Sequence, residues 1–164
     1  MGEARRGACI CKKLGTIYNY GNFKVQGIEK AITIGHFDAR TLEITHIKLR
    51  EGRLPEQENE ITLENNLFIQ LPKEMQEKRV LPLEINGEVI SLQIVGVLYD
   101  YGTYWESLLD VQIKPGENDI PRVLVAKDFL REPIAEHMVV QMDTIDDLAA
   151  INSFNPLWRK ISST

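Results

Sequence analysis

The sequence predicts an α+β fold, with a mixed, largely antiparallel sheet, hairpins and three or four short helices. Runs of β-branched and aromatic residues recur between Gly, Pro and Asn turns, which is typical of strands. An Asn-Gly pair joins two apolar arms, and short helix-like segments fall irregularly between the strands. The length of 164 residues, with 43% hydrophobic and 26% charged residues, is that of one soluble globular domain.

The first third of the chain predicts three strands and a helical turn. Residues 8–19 read as a strand, and the turn residues 19–22 lead into a short return strand at 23–25, which makes a hairpin. Residues 30–37 alternate as another strand. Asp38 then has the side chain of an N-cap and precedes a short helix.

The middle of the chain contains the clearest hairpin. Residues 60–63 predict a strand, and 64–71 a short helix that ends at Pro72, since proline cannot continue a helix. Asn86-Gly87 then joins the two arms of 81–99, because both residues tolerate the positive φ of a tight turn. The second arm is apolar enough to be a central strand.

The last third predicts two strands and a helix. Residues 121–126 and 137–142 form the strands, and Asp143 or Thr144 caps a helix at 145–154. The apolar residues of this helix fall on one face; they are Ile145, Leu148, Ala149 and Ile151.

The acidic stretch LREGRLPEQENEITL, residues 49–63, is the first candidate for chemistry. A calcium loop needs a different register of ligands, and acid–base catalysis needs a carboxylate in an apolar pocket. Its four glutamates stand in a polar run, which predicts a solvated connection instead of an active site; they are Glu51, Glu56, Glu58 and Glu60. The sequence also contains no nucleophile elbow, phosphate loop or dinucleotide motif. We therefore expect no catalytic residues and no cofactor.

Charge and cysteine content narrow the function classes further. The net charge of −5 opposes nucleic-acid binding, which needs clustered Lys and Arg. Cys9 and Cys11 supply only two of the four ligands of a structural zinc site, so buried thiols are expected and no metal. The longest charge-free runs have eleven residues, against about 20 for a spanning helix, and no signal peptide is visible. A cytosolic protein or a soluble piece of a membrane protein would look like this.

An aromatic segment follows the central hairpin and is the best local indication of a binding surface. It contains Tyr99, Tyr101, Tyr104 and Trp105. Aromatic side chains at a strand end either cap the sheet or face a partner or ligand, where amphipathic rings are favoured. Both interpretations remain open from the sequence.

The stretch LREGRLPEQENEITLENN resembles the motif of the extracytoplasmic domain of FtsX-like ABC-transporter permeases, the MacB-type periplasmic core domain. The motif positions are Leu49, Gly52, Arg53, Pro55, Asn59, Glu60 and Ile61. GEVISLQIVGVL, PRVLVAKDFL and MVVQMDTIDDLAAIN resemble later parts of the same domain, so the likeness covers about residues 31–154. The chain departs from the family pattern after the motif strand, where Pro72 and a charged stretch replace a Leu-Gly helix end and a Gly-Asp turn.

The resemblance implies a mechanical and binding role without enzymatic activity. Residues 1–164 would be one domain outside the cytoplasmic membrane, in the extracellular space or the periplasm, excised from between transmembrane helices 1 and 2 of a larger permease. Its partners would be those helices, a separate cytoplasmic ATP-binding subunit, a second permease copy and an extracytoplasmic partner or substrate. ATP hydrolysis would be coupled to export, extraction or control of that partner.

Two other classes remain open from the residues alone. One is a free-standing secreted or surface binding module, with the aromatic segment as its ligand site. The other is a cytosolic α+β enzyme subunit whose ionisable groups converge only in space.

Overall fold

The computed structural model describes residues 13–102, 120–127, 129 and 132–141. Within them, the eight strands are β1 Lys13–Val25, β2 Ile32–Phe37, β3 Leu49–Gly52, β4 Glu60–Glu64, β5 Val80–Ile85, β6 Glu88–Leu98, β7 Val123–Val125 and β8 Ala135–Gln141. The three helices are α1 Ala39–Thr45, α2 Asn65–Gln70 and α3 Lys73–Lys78. The fold is therefore α+β, as the sequence predicts.

All eight strands belong to one mixed sheet. Its order is β2-β7-β4-β6-β5-β1-β8, and β2 also pairs with β1, so six of the strands form a closed ring. β3 pairs with β6, and β8 lies on the outer side of β1. The pairings β2–β7 and β4–β6 are parallel and the other six are antiparallel, which confirms a largely antiparallel sheet.

Two hydrophobic clusters lie on the two faces of this sheet. The main cluster is built on β4, β6 and β7 and includes Ile61, Leu63 and Ile94, all at 1% exposure or less. The second cluster is smaller and comprises Ile17, Phe37, Leu98, Tyr101 and Leu124. β4 is buried along its whole length; it lies between β6 and β7, and its residues Ile61 and Leu63 belong to the main cluster.

The predicted hairpin at the start of the chain is wrong. Residues 19–22 do not turn the chain back; β1 runs through them as one strand of 13 residues. Its pairing with β2 shifts register between Asn19 and Gly21, so these residues form a bulge, with Gly21 at φ +100°. The amide N–H of Gly21 donates to the Asn19 side chain, 2.7 Å away, which supplies the acceptor that the interrupted ladder lacks. Turn-type residues therefore mark the bulge.

The N-cap predicted at Asp38 is confirmed. Its carboxylate accepts hydrogen bonds from the Thr41 amide, at 2.7 Å, and from the Thr16 amide of β1, at 2.9 Å. Burial alone would raise the pKa of Asp38, but these hydrogen bonds outweigh it and the pKa lies below its usual value. One carboxylate thus begins α1 and ties it to β1.

The central hairpin is also confirmed. β5 and β6 pair around Asn86 and Gly87, which have φ of +52° and +81°. β6 is a central strand that contacts β3, β4 and β5. α2 ends before Pro72 as predicted, but Pro72 also precedes a further helix, α3, which the sequence reasoning did not predict. The Gln76 side chain joins these two short helices by donating to the Leu71 carbonyl.

The described part of the chain contains no helix that is both long and apolar enough to span a membrane.

Candidate functional site

β4 carries a row of polar side chains on one face, and this row organises the motif loop and the start of the aromatic segment. Glu60, Thr62 and Glu64 alternate with the core residues Ile61 and Leu63, so the three polar groups share a face. All three are buried. Buried polar groups need partners, and each of these finds one in a loop that crosses this face.

Glu60 binds the motif loop at one end of β4. Its carboxylate accepts from both terminal nitrogens of the Arg53 guanidinium, with Nη1 at 2.8 Å from Oε2. The same Oε2 accepts from the backbone amides of Glu56 and Gln57, at 3.0 and 3.2 Å. A carboxylate that accepts two hydrogen bonds from one guanidinium and others from two backbone amides is held strongly and in one orientation. It closes residues 53–60 into a compact loop.

The charge of Glu60 is stabilised by these partners. The hydrogen bond from Arg53 and the Glu56 and Gln57 amides together lower the pKa of the Glu60 carboxyl from 4.5 to about 2. The prediction that all four glutamates of this stretch are solvated is therefore wrong for Glu60, which is 7% exposed. Its position as the first residue of a fully buried strand explains the difference. Glu51, Glu56 and Glu58 are exposed, as predicted.

Gly52 and Gly96 allow β3 to cross close to β6. Gly52 has φ +75°, and a Cβ there would lie 2.1 Å from the Val95 carbonyl oxygen. A Cβ on Gly96 would lie 2.3 Å from the Arg53 carbonyl oxygen. The Arg53 amide donates to the Val95 carbonyl at 3.0 Å, and the Thr62 hydroxyl donates to the Arg53 carbonyl at 2.8 Å. This close strand contact therefore fixes the position of the Arg53 backbone, from which the Arg53 side chain extends to Glu60.

The remaining motif residues have structural positions in the same loop. The Asn59 carbonyl accepts from the Gln93 amide at 2.8 Å, and Ile61 is fully buried in the main cluster. Pro55 is half-buried and lines a small apolar cavity of about 200 Å³ with Leu54 and Leu42. The motif residues from Gly52 to Ile61 therefore either form the loop or anchor it, whereas Leu49 is an exposed residue of β3.

Glu64 plays the corresponding part at the other end of β4. Its Oε1 accepts from the backbone amides of Tyr101 and Gly102, at 2.7 and 2.5 Å. Its Oε2 lies 3.8 Å from Nε of Arg122. The Glu64 amide also donates to the Arg122 carbonyl at 3.2 Å. Glu64 thus holds the chain both where it leaves β6, at 101–102, and where it approaches β7, at Arg122.

The aromatic residues predicted as a partner or ligand surface do not share one environment. Tyr99 is 59% exposed, whereas Tyr101 is 6% exposed and its ring packs against Phe37. The Tyr101 hydroxyl donates to the Pro121 carbonyl at 2.5 Å, and burial, with the nearby Glu64 carboxylate, raises its pKa well above the usual value. Tyr101 is therefore a core residue, and its ring is not accessible to a partner. Tyr104 and Trp105 lie outside the described residues.

A groove of about 330 Å³ lies beside Tyr99. The end of α1 and the chain leading into β3 form one wall, and the end of β6 forms the other. The residues that line it are Thr45, His46, Ile47, Lys48, Tyr99, Asp100 and Tyr101. The Tyr99 amide donates to the Lys48 carbonyl at 3.0 Å, which joins the two walls.

The two buried carboxylates are unsuited to acid–base catalysis as a pair. Four residues along a strand separate Glu60 from Glu64 by roughly 13 Å, beyond the range of carboxylates that share one substrate bond. Both are already occupied by backbone amides and by guanidinium groups. Among the described residues, no three His, Cys, Asp or Glu side chains converge as a metal site would require. The polar row therefore has a structural role: Glu60 holds the motif loop, and Glu64 holds residues 101–102 and Arg122.

Sequence reasoning missed Glu64 and Arg122. The signal for Glu64 is its spacing from Glu60, because two glutamates four residues apart in a strand lie on the same face. Burial of β4 on both sides then requires both carboxylates to find partners. Arg122 had no local signal, since its contact with Glu64 joins residues 58 positions apart.

No protein-family model matches the sequence, and no curated protein sequence matches it. Solved structures do match the fold. A domain of a protein described as a permease, from Porphyromonas gingivalis, has a TM-score of 0.51 at 10% identity. The extracellular domain of the noncanonic ABC-type transporter YknZ from Gram-positive bacteria has 0.53 at 10%, and the periplasmic region of MacB from Actinobacillus actinomycetemcomitans has 0.51 at 12%.

These alignments cover most of this chain but less of the other proteins. They include 82%, 88% and 89% of the present chain, in the same order, and 57%, 72% and 66% of the matched structures. The chain therefore spans between about half and three quarters of their lengths. At such low identity the likeness concerns the fold, which is the fold of extracellular and periplasmic domains of ABC-type permeases.

Proposed function

We propose that residues 1–164 are the extracytoplasmic domain of an ABC-transporter permease and transmit movement between its membrane part and the outside. The observation that carries the proposal is the fold, which matches extracellular and periplasmic domains of such transporters along more than four fifths of this chain. The motif LREGRLPEQENEITL agrees with it, because its residues form one anchored loop, as a structural signature would.

The architecture suits a rigid transmitting element. A ring of six paired strands resists shear, and the Glu60 and Glu64 carboxylates tie two loop crossings to the central strand. The strands β1 and β8 pair at their outer ends, with Lys13 opposite Gln141. The two described ends of this strand pair therefore lie side by side. We propose that the membrane part connects on this side, so that a small hinge motion there becomes displacement at the far end of the domain.

The partners proposed are those of a permease. They are flanking transmembrane helices, a separate cytoplasmic ATP-binding subunit, a second copy of the permease and an extracytoplasmic partner or substrate. No ATP-binding motif occurs in the chain, which is consistent with hydrolysis on another subunit. The domain itself is proposed to act without catalysis.

Membrane topology provides the first test. In the full-length protein, every native cysteine, including Cys9 and Cys11, would be replaced by serine, and Val89, which is 61% exposed, by cysteine. A membrane-impermeant maleimide should label Val89→Cys in intact cells as strongly as in permeabilised cells. The cysteine-free parent is the control for background. Labelling that appears only after permeabilisation would place the domain in the cytoplasm and overturn the proposal.

Coupling to ATP requires a second measurement. The full-length protein with a spin label at Val89→Cys would be purified with its ATP-binding subunit. The distance distribution between the labels of two permease copies should change when ATP hydrolysis is trapped with vanadate. An unchanged distribution, in a preparation that hydrolyses ATP, would leave the location intact but reject the mechanical role.

The partner surface at Tyr99 remains a prediction. If the protein were instead a free-standing binding module, its ligand would be expected at the same surface. Tyr99 is exposed beside a groove with two basic residues, His46 and Lys48. Replacing Tyr99 with alanine should weaken capture of the extracytoplasmic partner without loss of folding. Substitution of exposed Ile69, on α2, is a matched control at a similar exposure.

A further inference from the structure

One sheet face on the outer strand pair β1–β8 is apolar and uncovered in the described part of the chain. Leu14 lies opposite Val140, and Thr16 opposite Met138. Directly opposed residues of an antiparallel pair share a face, so these four side chains form one surface, which we name the open face. Leu14 is 51% exposed and Met138 47% exposed.

The other face of the same strand pair is covered. Helix α1 packs against β1 and β8, and a Cβ on Gly15 would lie 2.4 Å from the Thr41 hydroxyl oxygen. Ile17 and Val139, which point to that side, belong to or pack against the second hydrophobic cluster. α2 and α3 contact β4, β5 and β6 instead. Among the described elements, none therefore covers the open face as α1 covers its reverse side.

The open face continues a face that is already core. Along β1 the side chains of Leu14, Thr16, Tyr18 and Tyr20 alternate to the same side up to the bulge. Tyr18 packs against the main cluster and Tyr20 is buried within it. A sheet face that is buried at one end and apolar at the other is expected to be covered by a further element.

The chain supplies such an element next to the open face. Lys13 and Gln141 are paired, so residues 1–12 and 142–164 both join the strand pair at the end where Leu14 and Val140 lie. We propose that residues 145–154 of the same chain form an amphipathic helix that packs on the open face, with Ile145, Leu148 and Ile151 as its contacting residues. This inference does not depend on the proposed function.

The dimensions and charges favour this occupant. A helix of ten residues is about 15 Å long, and the five residues from Leu14 to Tyr18 span about 13 Å of strand. Residues 142–144 provide a reversal of ordinary length, and Thr144 is a good N-cap. A helix that runs back from Gln141 places Asp146 and Asp147 at the end of the open face away from Glu136, which lies opposite Tyr18. Like charges are thus kept apart.

Oxidation of Met138 provides a direct test in the complete 164-residue chain. Hydrogen peroxide oxidises exposed methionine, and peptide mass spectrometry separates Met138 from Met75, which serves as an internal reference. We expect slow oxidation of Met138 in the native chain and several-fold faster oxidation in Leu148→Asp. Ala150→Asp adds the same charge on the opposite side of the proposed helix and should leave Met138 protected.

Two results would overturn the proposal. Equal and fast oxidation of Met138 in the three proteins would show that the open face is uncovered. Protection that appears only at high protein concentration would assign the cover to a second copy of the chain.

A double-mutant cycle covers the case in which Leu148→Asp fails to fold. Leu14→Ala and Leu148→Ala are milder, and their effects on the free energy of unfolding should be non-additive if the two side chains touch. Ala150→Gly with Leu14→Ala is the matched cycle and should be additive. Additivity in the Leu14–Leu148 cycle would contradict the contact.

Discussion

Gly52 of β3 and Gly96 of β6 are paired across the two strands; a Cβ on Gly52 would collide with the Val95 backbone, and one on Gly96 with the Arg53 backbone just after β3. This double-glycine contact brings the Arg53 backbone against β6 and lets the Arg53 side chain reach Glu60 on β4. The absence of side chains at positions 52 and 96 thus permits the strand contact that positions the start of the motif loop.

Alanine at either glycine should destabilise the domain. Gly96→Ala forces the Arg53 carbonyl to move and should cost about 1–3 kcal/mol of unfolding free energy, as overpacking does. Gly52→Ala should cost more, because it adds strain at φ +75° to the same kind of overlap. Urea denaturation followed by circular dichroism measures both effects.

Gly87 allows the cost of backbone strain to be measured apart from the cost of a steric clash. It has φ +81°, but a Cβ there meets nothing within 4 Å. Gly87→Ala should therefore cost less than Gly52→Ala. Equal losses for the two variants would show that backbone strain, and not the close strand contact, explains the need for glycine at position 52.

Glu60 should make stability depend on acid pH. Its pKa is about 2 in the folded protein against 4.5 as the ordinary value, so protons bind the unfolded state first as pH falls. The stabilisation is complete above about pH 4.5 and is lost as pH falls towards 2. Glu60→Gln should therefore reduce the slope of unfolding free energy against pH in this window, measured by urea denaturation at successive pH values.

Glu58→Gln is the matched control for this titration. It removes one carboxylate from the same stretch, but Glu58 is exposed. Its slope between pH 4.5 and 2 should remain close to that of the native chain. If Glu60→Gln and Glu58→Gln give the same profile, the pair with Arg53 contributes nothing to acid stability.

Glu64 should protect two specific amides from hydrogen exchange. The N–H groups of Tyr101 and Gly102 both donate to its carboxylate, and a neutral side chain holds them less strongly. In Glu64→Gln, exchange at these two amides should accelerate more than at amides of β5, as followed by NMR. Glu84→Gln, an exposed position on β5, is the control. Unchanged exchange at 101 and 102 would show that Glu64 does not hold this segment.

The sequence predicts local structure well here, and long-range contacts poorly. The turn predicted at Asn86-Gly87 and the cap predicted at Asp38 are confirmed because their signals act within a few residues. The turn predicted at 19–22 is wrong because Asn and Gly occur in bulges as well as in turns, and only the partner strand decides between them. The prediction of a solvated Glu60 is wrong because its place at the start of β4, opposite Gln93 of β6, depends on a strand that lies far away in the chain.

The same limit applies to the aromatic segment. Tyr99 and Tyr101 are two residues apart, and the sequence leaves open whether their rings cap the sheet or face a partner. The structure separates them, since Glu64 binds the Tyr101 amide and Pro121 accepts from its hydroxyl, which turns that ring into the core. Neither partner is near Tyr101 in sequence.

Asp38 provides a test of how α1 is held on the sheet. Its two carboxylate oxygens accept from different elements, Oδ1 from the Thr41 amide in α1 and Oδ2 from the Thr16 amide in β1. Asp38→Ala should therefore cost about 2 kcal/mol, at the upper end for loss of an N-cap, because a strand amide loses its partner as well. Asp38→Asn keeps one oxygen acceptor and should lose less. Thermal and urea unfolding of the two variants measure the difference. An Asp38→Asn variant that is as stable as the native chain would mean that the contact with Thr16 contributes nothing beyond the cap.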